Sequence, residues 1–180
     1  MKRNNLIIFF AVFCVFKLFS QDIISEQLDR RNNFINEGFG FSYNDEIITS
    51  YEYFLLMHNN PIKIYQTDVD SEQSPYRYTE IEYDSMIVYF YTSLNGTFQG
   101  TEYKTILNQI VSKDNANYLY GIRHGLTINE LEEIIGKIEA DKWSSSLEMF
   151  QISNNKNSVI IAFDEEGKIS FITWMIKWWE

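Results

Sequence analysis

The 180-residue chain contains a single cysteine, Cys14, and it lies near the start of the chain. Residues 21–180 therefore have no disulfide, no thiol nucleophile and no cysteine-ligated metal site. A content of 45% hydrophobic and 17% aromatic residues is too apolar for a disordered chain. The sequence thus predicts a folded protein whose hydrophobic core alone holds the structure together.

No apolar run is long enough to predict a membrane-spanning helix, which needs about 20 residues. The longest run near the start, residues 6–16, follows the basic pair Lys2 and Arg3 and precedes Ser20, the layout of a secretory signal peptide. We predict a signal peptide over residues 1–20, an exported protein that is periplasmic or secreted, and no membrane span after leader removal. Two alternatives stay open, a retained anchor and a lipid on Cys14, although the bulky Phe13 before Cys14 disfavours the lipid.

Basic residues are scarce. Removing the three basic residues of the leader leaves 12 lysines and arginines against 25 acidic residues, a net charge of −13. This charge disfavours nucleic acid and anionic lipid surfaces as partners.

Local signals predict an α+β fold of two related units. Ile23, Ile24, Leu28 and Ile35 recur at near-helical spacing, which predicts a first helix over Asp22–Asn36. Capping-box patterns at Thr49–Glu52 and Thr127–Glu130 lie 78 residues apart and predict two further helices, with Tyr53, Leu56 and Met57 as the apolar stripe of the earlier one. Each box is followed by predicted antiparallel strands: Pro61–Thr67, Tyr76–Tyr83, Ser85–Thr92, Leu147–Ser153, Ser158–Phe163 and Lys168–Trp178. We therefore predict a first helix-plus-sheet unit over residues 21–112 and a second over residues 113–180.

The segment Tyr120–Leu131 combines Gly121, Gly125 and Thr127 before a short helix that Gly136 ends. It resembles the fold group of the beta-lactamase inhibitory protein and small outer-membrane assembly lipoproteins, best over residues 121–178. The resemblance implies a helix pair packed on one face of an antiparallel sheet, repeated in tandem. The disulfides of that group have no counterpart here, and the first copy lacks the glycine–threonine lead.

The chain lacks the standard hydrolase, nucleotide-binding and zinc signatures. His58 and His124 have no second candidate ligand at metal-binding spacing. The acidic loop over residues 68–72 begins like a calcium loop, but Gln73 replaces its glycine and Thr79 its final glutamate. We predict no catalytic residue, no metal and no cofactor, and hence a protein that is not an enzyme.

Aromatic residues at strand spacing carry the functional prediction. We expect a binding surface on one sheet face that recognises another protein or an envelope component, because tyrosine and tryptophan are typical anchors of protein interfaces. Three alternatives stay open: these aromatics belong to the core, the protein is purely structural, or it is a small envelope carbohydrate-binding protein or hydrolase using carboxylates in an aromatic cleft. The candidate binding residues are Tyr89, Tyr91, Phe171, Trp174 and Trp178.

Overall fold

The computed structural model describes residues 21–39, 49–70, 74–98, 102–114, 116–138, 149–154 and 157–176. The predicted signal peptide and Trp178 lie outside these residues. The helices are α1 (residues 21–37), α2 (Tyr51–Met57) and α3 (Ile128–Ile135), with a 3₁₀ turn at Leu119–Gly121. The strands are β1 (Lys63–Val69), β2 (Tyr76–Glu82), β3 (Met86–Ser93), β4 (Thr105–Ser112), β5 (Met149–Ser153), β6 (Asn157–Phe163) and β7 (Ile169–Ile176).

The seven described strands form one antiparallel sheet in the order β1-β2-β3-β4-β7-β6-β5. The α+β class is thus confirmed. The strands from both predicted units belong to this continuous sheet, in which β4 pairs with β7 and Gln109 lies opposite Met175. Strand β4 was not predicted from the sequence. No described helix is long and apolar enough to cross a membrane.

Within the described residues, the helices pack on one face of the sheet and form the core there. Phe34 of α1, Phe54 of α2 and Leu131 of α3 are all fully buried in one cluster with the inward side chains of the strands. Trp174 of β7 lies at its centre, in edge contact with Phe34 at 5.5 Å between ring centroids. We name this side of the sheet the helix-covered face and the opposite side, where no described helix packs, the open face. On β4, β6 and β7 the open face is itself buried at Ile106, Ile160 and Thr173, so its exposed part lies on β1–β3.

Helix α3 begins and ends as the sequence predicts. The Thr127 hydroxyl accepts a hydrogen bond from the Glu130 amide at 3.3 Å, and the Glu130 carboxylate accepts one from the Thr127 amide at 2.8 Å. Gly136 ends the helix with φ of 78°, in the left-handed region that favours glycine. The capping box therefore fixes the start of α3 through purely local bonds.

Helix α2 differs from the prediction by one residue. Its N-cap is Ser50 rather than Thr49, and the Ser50 hydroxyl accepts from the Tyr53 amide at 3.1 Å. The predicted apolar stripe is right only at Tyr53, which packs partly buried against the core, and is wrong at Leu56 and Met57, which are exposed, whereas Phe54 is fully buried. The reason is tertiary: α2 meets the sheet through the Phe54 ring, 5.4 Å from that of Phe90 on β3.

The prediction for α1 holds for the helix itself but only in part for its apolar spacing. Of the four predicted positions only Ile35 is buried, together with its neighbour Phe34, whereas Ile23, Ile24 and Leu28 are exposed. Because only the C-terminal end of α1 contributes fully buried residues, the spacing predicted a helix but not where the helix meets the core.

Candidate functional site

The open face carries five tyrosines on three adjacent strands. The alternation of side chains along a strand places them together: Tyr65 on β1, Tyr76 and Tyr78 on β2, and Tyr89 and Tyr91 on β3. Tyr65 is 48% exposed and the other four are partly buried. We name these five residues the tyrosine face.

The rings pack on one another across the strands. Tyr78 stacks with Tyr89 at 5.5 Å between centroids and 27° between planes. Tyr91 lies 5.1 Å from Tyr76 and 5.7 Å from Tyr78. Such cross-strand aromatic pairs stabilise a sheet by a few tenths to about 1 kcal/mol each, so the tyrosine face is a preorganised surface.

A β-bulge adjoins this face. Tyr89 lies opposite Gln109 but Phe90 lies opposite Leu107, so β4 has one extra residue at this point. The bulge lets Ile106 and Gln109 share the open face, although they are an odd number of residues apart. Bulges increase the local twist and redirect side chains, and they are often found beside functional sites.

Glu80 lies within the tyrosine face. In the sheet register it is directly opposite Tyr65 on one side and Tyr89 on the other. The Tyr78 hydroxyl lies 3.4 Å from its carboxylate, at the outer limit of a hydrogen bond. The next acidic residue of β2, Glu82, is paired with the Lys113 ammonium at 2.8 Å. Within the part of the chain that the structure describes, no lysine, arginine or histidine forms an ion pair with Glu80.

Three tyrosines of this face, Tyr78, Tyr89 and Tyr91, stay protonated at neutral pH. Burial, followed by the neighbouring Tyr89 phenol and then by the negative charge of Glu80, raises the pKa of Tyr78 well above its ordinary value of 10.0. Burial and Glu80 likewise raise the pKa of Tyr89, and burial raises that of Tyr91. Each phenol is therefore a neutral group that can donate a hydrogen bond.

The five candidate residues from the sequence separate into three groups. Tyr89 and Tyr91 lie on the open face. Phe171 lies partly buried on the same face but two strands away, on β7. The prediction of Trp174 as a binding residue must be corrected, because its side chain is 0% exposed on the helix-covered face. Its indole N–H donates a hydrogen bond to the Phe34 carbonyl at 3.0 Å. Trp178 is not among the described residues.

Sequence reasoning missed four members of the site: Tyr65, Tyr76, Tyr78 and Glu80. The alternation Tyr76, Tyr78, Glu80 places the three on one face of β2 and was the available signal. Tyr118 and Tyr120 also alternate in the sequence, but they flank and occupy the 3₁₀ turn rather than a strand.

A second constellation, Ser112, His124 and Asp114, escaped sequence reasoning because its members come from the end of β4 and the loops after it. The Ser112 hydroxyl lies 2.5 Å from His124 Nε2, and His124 Nδ1 lies 3.1 Å from the Asp114 carboxylate. Ser112 and Asp114 also line a cavity of about 500 Å³. The order of atoms matches the relay of a serine hydrolase.

Three features of this constellation favour a structural role over a catalytic one. Ser112 is buried, and its hydroxyl oxygen also accepts the Ile172 amide of β7 at 3.2 Å. The Asp114 side chain is 97% exposed, so water screens its charge. Burial, opposed by the charge of Asp114, lowers the pKa of His124. The neutral His124 imidazole therefore holds its loop against the end of β4 through Ser112. The Ser112 hydroxyl in turn accepts the Ile172 amide of β7 in place of a backbone carbonyl.

Two further cavities, of about 390 and 330 Å³, lie beside α1 and the end of α3 and share Arg31 and Lys137 in their linings. The Arg31 guanidinium donates to the carbonyl oxygens of Ile135 and Lys137. It thereby satisfies carbonyls at the C-terminal end of α3, which is a structural role.

No group of three or more histidine, cysteine, aspartate or glutamate side chains in the described residues could hold a metal ion. Asp68, which begins the acidic loop, instead binds the Arg77 guanidinium through two hydrogen bonds of 2.7 and 3.2 Å. This fork lowers the pKa of Asp68 through the hydrogen bond and the charge of Arg77.

No protein family model matches the chain, and no curated protein does. The chain is similar in structure to a DUF4309 family protein, YjgB, of Bacillus subtilis subsp. subtilis str. 168. The similarity covers 86% of this chain and 97% of that chain, with 8% sequence identity and a TM-score of 0.40. A likeness at this level carries no functional assignment.

Proposed function

We propose that this protein is a non-catalytic binding protein that recognises another protein or an envelope component through the tyrosine face. The observation that carries the proposal is the clustering of five tyrosines on the sheet face opposite the helices. Tyrosine presents a large and rigid contact area with a polar tip, so it is enriched at protein interfaces and among their energetic hot spots. Phe171, on the same face, could extend the contact area, whereas Trp174 no longer belongs to the proposed site.

The packing of the rings favours a protein partner over a sugar. Tyr78 and Tyr89 stack on each other, so each covers one ring face of its neighbour. A sugar ring binds by lying flat on an exposed aromatic face, whereas a protein partner can contact ring edges and hydroxyl groups together. Glycan binding is therefore the second outcome to be tested.

Charge favours a basic partner. The chain has a formal net charge of −10, and −13 without the leader. A surface of this sign accelerates the encounter with a positively charged partner and disfavours acidic ones. This is a long-range effect and decreases with ionic strength.

We also propose that the chain is an exported tandem of two related units, as the resemblance to the beta-lactamase inhibitory protein group implies. The helix starts support a duplication. The N-caps Ser50 and Thr127 are 77 residues apart, and so are Phe54 and Leu131, the fully buried residues four positions after each cap.

A site-specific crosslinking experiment tests the binding proposal. A photoreactive benzoylphenylalanine replaces Tyr89 in one variant and Leu56, exposed on helix α2, in the control variant. Both are exposed to envelope and secreted fractions of the source organism. We expect a discrete crosslinked partner at position 89 and none at position 56. Crosslinking only at position 56, or equal crosslinking at both positions, would contradict the proposal.

Substitution provides the second part of the test. Tyr89→Ala with Tyr91→Ala should abolish capture of that same partner, while Leu56→Ala should leave it unchanged. Circular dichroism establishes that the double variant is folded. A soluble glycan that binds the wild type and not the double variant, without any protein partner, would instead support the carbohydrate-binding alternative.

A further inference from the structure

Glu80 is the negatively charged residue within the tyrosine face, and its surroundings are unlike those of the paired carboxylates. Asp68, Glu82 and Glu166 each form an ion pair with a lysine or arginine. Glu80 has three tyrosines as its neighbours: Tyr65 and Tyr89 directly across the strands and Tyr78 two residues before it. Directly opposite residues in a sheet have Cβ atoms about 5 Å apart, so the Glu80 side chain stands between those of Tyr65 and Tyr89.

These neighbours are suited to a positive charge. The face of an aromatic ring carries negative potential and attracts a lysine ammonium or an arginine guanidinium within about 6 Å of the ring centre. The carboxylate adds a full negative charge and accepts charge-assisted hydrogen bonds. Tyr65 is 48% exposed at the edge strand, so a ligand can approach Glu80 from solvent on that side.

The geometry favours guanidinium over ammonium. A guanidinium is planar, so it can stack on the half-exposed Tyr65 ring, which the Tyr78–Tyr89 stack does not cover, while its N–H groups bind the two carboxylate oxygens in a fork. The chain already uses this fork elsewhere, between Arg77 and Asp68. An ammonium is compact and strongly hydrated, and it can make the ionic contact without the stacking.

We propose that Glu80, with Tyr65, Tyr78 and Tyr89, is a binding site for an arginine side chain that the partner presents. The site rests on the proposed function, because it makes the tyrosine face the surface that reads this side chain. The rings supply stacking and Glu80 supplies the charge. A partner arginine inserted here would be a central anchor of the interface, with Tyr76 and Tyr91 as its rim.

Peptide titration followed by NMR tests this site directly. The probe is a capped hexapeptide of alternating glycine and arginine, and its matched control carries citrulline, the neutral isostere, at each arginine position. We expect the arginine peptide to shift amide resonances of β1, β2 and β3 on the tyrosine face, and the citrulline peptide to shift none. Equal shifts with both peptides, or shifts confined to other parts of the protein, would overturn the proposal.

Two variants with the same change of net charge separate a site from a general field. Glu80→Gln removes the carboxylate, and Glu165→Gln removes an exposed one in the turn between β6 and β7. We expect Glu80→Gln to lower the affinity for the arginine peptide by about tenfold or more, because one charge-assisted contact is lost. Glu165→Gln should leave this affinity unchanged. Equal weakening by both variants would show long-range attraction and overturn the site.

The two proposals can fail separately. One outcome is that the partner crosslinks at position 89 and is lost in the Tyr89→Ala, Tyr91→Ala variant, while the arginine peptide does not bind. In that case only the arginine site is wrong. If the partner is captured through another surface, the binding proposal and the arginine site are both wrong.

Discussion

Replacing Trp174 with phenylalanine tests whether this residue belongs to the core or to a binding surface. Its side chain is fully buried, its indole N–H donates to the Phe34 carbonyl at 3.0 Å, and its ring lies 5.0 Å from that of Tyr118. The same carbonyl also accepts the Gly38 amide at 3.0 Å, so the substitution does not leave it without a partner. The loss is then one hydrogen bond, about 1 kcal/mol, and the packing of the larger ring, about 1–2 kcal/mol.

The expected effect is a decrease of about 2–3 kcal/mol in the free energy of unfolding, and of about 4–12 °C in Tm for a domain of this size. Urea unfolding and calorimetry measure the two quantities. Met175→Leu is the matched control, because Met175 is the next residue of β7, points to the open face and is 37% exposed. It should change stability by less than about 0.5 kcal/mol. A Trp174→Phe protein as stable as the wild type would refute the assignment of Trp174 to the core.

Three further outcomes are expected. Gly38→Ala should destabilise the protein by about 1–3 kcal/mol in urea unfolding, because a Cβ there would lie 2.3 Å from the Phe34 carbonyl oxygen; a neutral effect would contradict this close approach. Burial lowers the pKa of His124, so its contribution to stability is present above pH 6.5 and is lost as the pH falls from 6.5 through the folded-state pKa. His124→Gln should reduce this loss when urea unfolding is measured across that pH range. A pH profile of stability that the substitution leaves unchanged would contradict this expectation. A fluorophosphonate probe should leave Ser112 unlabelled in intact-mass spectrometry, because its buried hydroxyl oxygen accepts the Ile172 amide; labelling that Ser112→Ala removes would instead support a hydrolase.

Helix starts and ends were predictable because the interactions that form them are local. The Thr127 and Glu130 groups that bond each other are three residues apart, so their spacing in the sequence is enough to predict the cap. Helix α2 shows the limit of the same reasoning. Thr49 and Ser50 are both suitable caps, and the contact of Phe54 with the sheet accompanies the choice of Ser50.

The candidate site was predictable only in part. Strand alternation separates residues into two sets but does not say which set the helices cover, so Tyr89 and Trp174 were assigned to the same surface although they lie on opposite faces. The cluster also depends on register between strands. Tyr78 meets Tyr91, and Glu80 meets Tyr65, because β2 pairs with β3 and β1 in one particular alignment.

The sequence by itself determined the α+β class, the acidic charge, the absence of disulfides beyond residue 20 and the approximate positions of the helices and of six strands. Each of these depends on composition or on residues a few positions apart. Only the tertiary structure decided that β4 joins β7 in one sheet, that Trp174 is core and that five tyrosines share the open face with Glu80. These features depend on contacts between distant segments, and burial of apolar surface selects among the arrangements that local preferences permit.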